Sequence, residues 1–330
     1  MSGRPDSEAS GLKRVRHAVE YALLRVAVLG VDLLPLSVAS WCARRLADVV
    51  FTLDGSRRAV AVDNIRRAAV ETDPAKARRL ARRSARHFAT VVVETLKARS
   101  LLAGERWREH VAFDIPPAVR EVLEDPDRGL LLTTGHFGNW EVGAQAISRF
   151  KPVVAAARRV TNPHVDSLLQ RRKPSRDFRL VAEWFGSPTR YTEALSQGET
   201  LALLIDLDAR GEGIKLDFFG RPAATHVTAA MLHLVTKAPL VFASCRRLDT
   251  GHFEITVSDL IEHRPTGDKQ ADVRAILEHL NGELEAVIRR FPDQYLWAHS
   301  RWKYGEWVPP PGFVPVSGRL GGAGSRGITS

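Results

Sequence analysis

From residue 129 onward, short apolar runs alternate with amphipathic ones, and this alternation constrains the fold more than any other feature. The runs are "GLLLTT" (129–134), "PVVAAA" (152–157), "FRLVA" (178–182), "TLALLI" (200–205), "PLVFAS" (239–244) and "HFEITVS" (252–258). Continuous apolar runs of this length suit strands buried on both faces. Helical patterns lie between them, at about 139–148, 162–173, 188–197 and 225–237. Repeated strand–helix alternation predicts an α/β fold, a mainly parallel or mixed sheet flanked by helices. "HFEITVS" alternates polar with apolar and reads as a half-exposed or edge strand. Residues 269–291 add a long amphipathic helix whose apolar face carries Val273, Ile276, Leu277, Leu280, Leu284, Val287, Ile288 and Phe291.

The N-terminal part has a different texture. "VEYALLRVAVLGVDLLPLSVAS" (19–40) is long enough to cross a bilayer, but Arg25 and Asp32 interrupt it and Pro35 breaks it. A charge near the bilayer centre costs about 2.5–3.5 kcal/mol on insertion scales, which argues against a clean transmembrane helix. No small-residue cleavage site follows the apolar run, so it does not read as a cleavable leader. The stretch predicts one or two apolar helices lying in the membrane interface, with Arg14, Arg16, Arg44 and Arg45 against lipid phosphates. Two further helices are expected within 57–99, the second capped by Asp73 with Pro74 at its first position. The expected organisation is a helical, membrane-anchoring region over 1–110, an α/β core over 111–308 and a disordered Gly/Ser-rich tail over 309–330.

Charge follows the same division. Of the 330 residues, the first 100 carry 19 Lys/Arg against 10 Asp/Glu, while the other 230 carry 29 against 28. A basic surface of this kind can face anionic lipid, an acidic protein or nucleic acid. Arg78, Arg79, Arg82, Arg83 and Arg86 lie largely on one flank of a helix, yet no DNA-binding motif surrounds them. The two cysteines, Cys42 and Cys245, have no metal-ligand spacing and imply free thiols in a reducing compartment.

The chemistry concentrates at the end of the first buried run, in "GHFGNWE" (135–141). Ligands of parallel sheets gather outside the carboxyl ends of the strands, and His136 falls there. Asn139 is a helix N-cap, which puts Glu141 in the first turn. In one continuous helix, residues five apart point ~140° away from each other. With His136 in the preceding loop, the Glu141 carboxylate can instead fold back onto one ring nitrogen and leave the other to accept a proton. Such a pair is a general base with its orienter. No serine or cysteine nucleophile stands beside it, so the simplest chemistry is activation of a substrate hydroxyl. Asp206 and Asp208 form an Asp-x-Asp at another strand end. That spacing fits turn capping, hydrogen bonding to substrate or to the catalytic loop, or a divalent metal as in metal-dependent glycosyltransferases.

"GHFGNWE" resembles the HxxxxE motif of the late acyltransferases of lipid A biosynthesis, the lauroyl/myristoyl transferase family. Further segments resemble that family in order: "ARRVTNPHVDSLLQRRK" (157–173), "LALLIDLDARGEGIKLDFFGRPAATHVTAA" (201–230) and "PDQYLWAHSRWK" (292–303). The likeness covers roughly residues 15 to 305. It implies a glycerolipid acyltransferase-like core and transfer of a fatty acyl group from acyl carrier protein or acyl-coenzyme A to a glycolipid hydroxyl. It also implies a site at the cytoplasmic face of the inner membrane, with no metal, no cofactor and no nucleic acid partner. His136 would be the base and Glu141 its partner. Arg158, Asn162, Asp206, Asp208, Arg221 and Thr225 would contact substrate, with Arg159 able to stand in for Arg158. Arg301 and Lys303, near Trp297 and Trp302, could meet head groups. The sequence also resembles the actinobacterial mannolipid acyltransferases, which share the architecture but whose motif usually ends in Asp; the Glu here sides with the lipid A branch, and a phosphatidylinositol mannoside-type acceptor is the alternative.

Overall fold

The structure, a computed structural model, describes residues 5–156, 160–172, 177–181, 188–209 and 213–302. Four helices come first: α1 (Pro5–Leu33), α2 (Leu36–Leu53), α3 (Gly55–Arg67) and α4 (Pro74–Leu101). Pro35 separates α1 from α2, since a proline cannot continue the hydrogen-bond ladder. Asp73 caps α4 by accepting from Lys76 N at 2.7 Å, with Pro74 at the first position. Asp48 of α2 accepts from Arg82 and Arg86 of α4, each at 2.7 Å. Two of the arginines read as a basic flank thus pin one helix to the next, and they hold the Asp48 carboxyl well below the usual carboxylate range.

No helix among the described residues is long and apolar enough to cross a membrane. The expected membrane anchor thus has no spanning helix behind it among the described residues. The faces of α1 and α2 do expose large apolar side chains. Val15, Val19, Leu23, Val26, Leu29 and Leu33 follow one another at steps of three and four along α1, and Trp41, Val49 and Leu53 stand out from α2.

A short helix, α5 (Trp107–His110), leads into β1 (Val111–Asp114), α6 (Pro117–Glu124), β2 (Leu130–Thr134), α7 (Trp140–Ile147) and β3 (Val153–Ala156). Next come α8 (Pro163–Gln170), β4 (Phe178–Val181), α9 (Pro188–Ser196) and β5 (Thr200–Leu204). The chain continues through β6 (Ile214–Phe218), β7 (Arg221–Thr225), α10 (Thr228–Thr236), β8 (Leu240–Asp249), β9 (His252–Val257) and α11 (Lys269–Arg290). Seven strands form one sheet in the order β1-β9-β8-β2-β5-β3-β4, and β6 and β7 form a separate hairpin. Every pair in the large sheet is parallel except β8 with β9. The parallel strands are the continuous apolar runs, buried from both sides. Leu131, Leu201 and Leu240 pack in a core shared with Ile65, Leu80, Leu277, Leu280 and Leu284. Leu130, Leu132 and Val241 pack in another with Val119, Val122, Val142 and Ala146. Residues of α3 and α4 thus share a core with the sheet across the 110/111 boundary.

Of the two readings of β9, half-exposed or edge strand, the first holds: its burial alternates, and β1 pairs with it from Val111↔Phe253 to Asp114↔Thr256. The alternation in β9 arises from unequal burial of its two faces, not from an open edge. The β6–β7 hairpin was unforeseen; its strands are short and carry charges and a proline.

Candidate active site

Register brings the central pair of residues together. β2 and β5 are parallel neighbours, and Thr134 is level with Leu204. His136 and Asp206 each lie two residues past that pair, at the carboxyl edge of the sheet, so their side chains share one layer. His136 N donates to Asp206 Oδ2 at 2.9 Å, and Nδ1 lies 2.9 Å from Oδ1. A carboxylate only accepts, so Nδ1 carries the proton and Nε2 is left as the basic nitrogen. Burial works against the imidazolium, but the charge and hydrogen bond of Asp206, with the charge of Glu141 behind them, hold His136 above its ordinary pKa. Burial likewise raises Asp206, yet His136 and the Arg301 guanidinium keep it below its ordinary value. The Trp140 ring meets His136 edge-on at a centroid distance of 4.9 Å.

The carboxylate on Nδ1 is thus Asp206, not Glu141. Seventy positions separate Asp206 from His136 in sequence, against five for Glu141. Glu141 sits in the first turn of α7, on the wall of the adjoining cavity, and reaches His136 through its charge.

Other expected residues have different settings. Arg158 and Arg159 lie outside the described residues, as does Lys303. Asn162 is buried as the N-cap of α8; its amide donates to His17 O at 2.8 Å and Glu20 Oε2 at 3.1 Å. It thus ties the start of α8 to the middle of α1. Asp208 N faces His299 Nε2 at 3.4 Å. Arg221 Nε donates to Arg67 O at 2.6 Å, tying β7 to α3. Thr225 is buried and accepts from Arg301 Nη2 at 2.8 Å. Arg301, only 2 % exposed, also donates to Ala224 O at 2.5 Å. It cannot meet lipid head groups: it is a buried cation behind Asp206. Trp297 and Trp302 are buried too. Tyr295 from the same C-terminal segment hydrogen-bonds Asp206, and burial raises its pKa. No group of three or more His, Cys, Asp or Glu side chains among the described residues could hold a metal ion. Asp206 is bonded to His136, so the Asp206–Asp208 metal reading does not fit this geometry.

Beside His136 opens a cavity of about 270 Å³ between α7 and the sheet. Its wall includes Leu132, Ala144, Ile147, Ala155, Leu180 and Ala202. Small residues on both α7 and the strands leave this space, while aliphatic ones keep it apolar. Cys245 also lines it, and burial pushes its thiol up, out of the nucleophilic range. Together these features define an α/β protein with a carboxylate-bonded histidine at the carboxyl edge of its sheet, beside an apolar cavity.

The chain belongs to the bacterial lipid A biosynthesis acyltransferase family, whose profile matches residues 9–304. It is 26% identical over 182 residues to a lipid A biosynthesis palmitoleoyltransferase of Escherichia coli, covering 54% of this chain and 56% of that protein. A lipid A biosynthesis acyltransferase of Shigella flexneri matches at the same identity and coverage. A phosphatidylinositol mannoside acyltransferase of Mycolicibacterium smegmatis is 24% identical, over 54% of this chain and 58% of its own length. Each alignment thus spans little more than half of the relative.

Proposed function

We propose that this protein transfers a fatty acyl group from a thioester donor, acyl carrier protein or acyl-coenzyme A, to a hydroxyl of a lipid A precursor or related glycolipid. The observation that carries this reading is the His136–Asp206 pair beside the apolar cavity. In the proposed reaction the cavity holds the acyl chain and brings the thioester carbonyl to His136. Nε2 takes the proton of the acceptor hydroxyl as its oxygen attacks that carbonyl. The tetrahedral intermediate then collapses, the C–S bond breaks, and the imidazolium returns the proton to the leaving thiolate. Asp206 fixes the tautomer and stabilises the imidazolium. Glu141 adds negative charge on the same side.

The acceptor decides between two branches, since relatives acting in lipid A biosynthesis and on a phosphatidylinositol mannoside both match. The test incubates purified protein with acyl carrier and coenzyme A thioesters of several lengths, each with lipid A precursor and with mannolipid. Transfer to the first acceptor supports the main reading, and transfer only to the second supports the mannolipid branch. Turnover of neither overturns both. Filling the cavity supplies a sharper test. Ala155→Phe is expected to lower kcat/KM for long-chain donors at least about tenfold more than for short ones, because buried methylenes are what such a pocket discriminates. Equal losses would remove the cavity from the acyl path.

We further infer that the exposed apolar faces of α1 and α2 dock on the cytoplasmic leaflet of the inner membrane. The support is a run of exposed aliphatics: Leu23 is 68% exposed and Leu53 79%. Contiguous apolar exposure of this kind marks an interaction surface, and neighbouring Arg44 and Arg45 suit anionic lipid. Leu23→Glu with Trp41→Glu is expected to lower sedimentation with phosphatidylglycerol vesicles about tenfold, with thermal unfolding unchanged. Undiminished sedimentation would refute the docking face.

A further inference from the structure

Behind the His136 loop lies a polar cluster, separate from the cavity, in which His87 and Glu94 are buried and Arg247 is largely so. Two members, His87 and Glu94, are seven residues apart on α4 and so share one face two turns apart. The third, Arg247, comes from β8. Glu94 has no exposed surface and accepts four hydrogen bonds. Arg247 Nε donates at 3.0 and 2.8 Å, Gly251 N at 3.0 Å and Asn139 Nδ2 at 3.1 Å. Arg247 Nη1 meets His87 Nδ1 at 3.1 Å, and His87 Nε2 meets the Gly138 carbonyl at 3.1 Å. A guanidinium can only donate, so Nδ1 accepts and Nε2 donates to Gly138 O. That is a neutral imidazole in one tautomer. Burial and the Arg247 charge agree with it, lowering the pKa of His87 to about 3.

Arg247 therefore bridges two side chains that grip successive residues, Gly138 and Asn139, two and three positions after His136. The other side of this loop is held by Cys245 O, which accepts from Asn139 N at 2.8 Å. Asn139 Oδ1 in turn caps α7 through Val142 N at 3.1 Å. The cluster fixes both the bend that presents His136 and the start of the helix that carries Glu141.

We propose that His87, Glu94 and Arg247 are positioning residues that clamp the catalytic loop. On this view α4, from the N-terminal helical region, forms part of the active-site support. The inference rests on the proposed role of His136, since it assigns the cluster the task of aiming that base.

The test removes the polar grips while keeping the volume. Replacing a buried ion pair with apolar residues of similar size often preserves stability, whereas breaking one half does not. The double variant Glu94→Leu/Arg247→Met is thus expected to unfold near the wild-type temperature. Its kcat is expected to fall about 10²-fold with donor KM nearly unchanged, the signature of a misplaced catalytic group. Amide exchange over 137–142 should quicken while the strands stay protected. Glu94→Gln/Arg247→Met, which restores an acceptor for Asn139 Nδ2, is expected to regain roughly tenfold in kcat, about the value of one hydrogen bond. Full turnover and unchanged exchange in a folded Glu94→Leu/Arg247→Met protein would overturn the clamp. The exchange comparison needs no substrate, so it decides the clamp even if the wild type acylates nothing.

Discussion

Replacing His136 with alanine, or Asp206 with asparagine, is expected to lower kcat by about 10⁴-fold while the protein stays folded. The two effects have different origins. Alanine removes the nitrogen that accepts the proton. Asparagine leaves that nitrogen in place but removes the charge that fixes the tautomer and stabilises the imidazolium. Their pH profiles separate them. A base works in its neutral form, so wild-type kcat/KM rises with pH through the pKa of His136. Asp206 and Glu141 hold that value above the ordinary one of a histidine. In Asp206→Asn the residual rate should rise at lower pH, because burial then prevails over the remaining charge of Glu141. Glu141→Gln should move the profile the same way by less, since Glu141 is the smaller contribution. A profile that moves to higher pH in Asp206→Asn, or wild-type turnover in either His136 or Asp206 variant, would refute the assignment. The two single effects are also expected not to add, because both act through one pair.

The second large effect is on stability. Gly138 has φ +59°, and a Cβ there would sit 1.8 Å from the Cys245 carbonyl oxygen. Neither atom can yield cheaply, because the Cβ is fixed to a loop bonded on two sides and the carbonyl belongs to strand β8. Gly138→Ala incurs the left-handed penalty of roughly 1–2 kcal/mol. It must also displace the loop from β8, which puts at risk the bond from Asn139 N to Cys245 O. The total expected loss is about 3 kcal/mol or more, read as a fall in the urea midpoint. An unchanged midpoint would mean that the loop is looser than its contacts suggest. Gly135 is a different case. Its backbone is not left-handed, and an added Cβ would meet the Leu284 side chain at 2.7 Å. There, glycine makes room for α11 rather than for a turn.

What could be read from sequence follows from what is local. Strands β2, β5 and the start of β8 were legible as continuous apolar runs because neighbours bury them on both faces. β1 was not, since "VAFD" is four residues long and its strand character comes from pairing with β9. The position of His136 at a strand end was legible because "LLTTG" leads straight into it. Its partner was not, since the carboxylate nearest in sequence is Glu141 and the one on Nδ1 comes from the adjacent strand. The level pairing of Thr134 with Leu204 would have shown this, but register is a property of the sheet. Arg301 misled for a related reason. A charged residue between tryptophans reads as interfacial, and only the fold shows a cation buried against Thr225 and Ala224. Glu94 and Arg247 left no sequence signal, being 153 positions apart and paired only in space.

The placement of Tyr295 and Arg301 also bears on how the molecule is made. His136 and Asp206 leave the ribosome well before the residues that surround Asp206 from the far side. Until residue 301 is available, the Asp206 carboxylate lacks the Tyr295 hydrogen bond and its buried cation, and the layer cannot close without cost. Contacts between segments so distant along the chain form late and slowly. A chain ending short of this segment would thus lack the groups that back Asp206, and the proposed base would form only with the last stretch of the core.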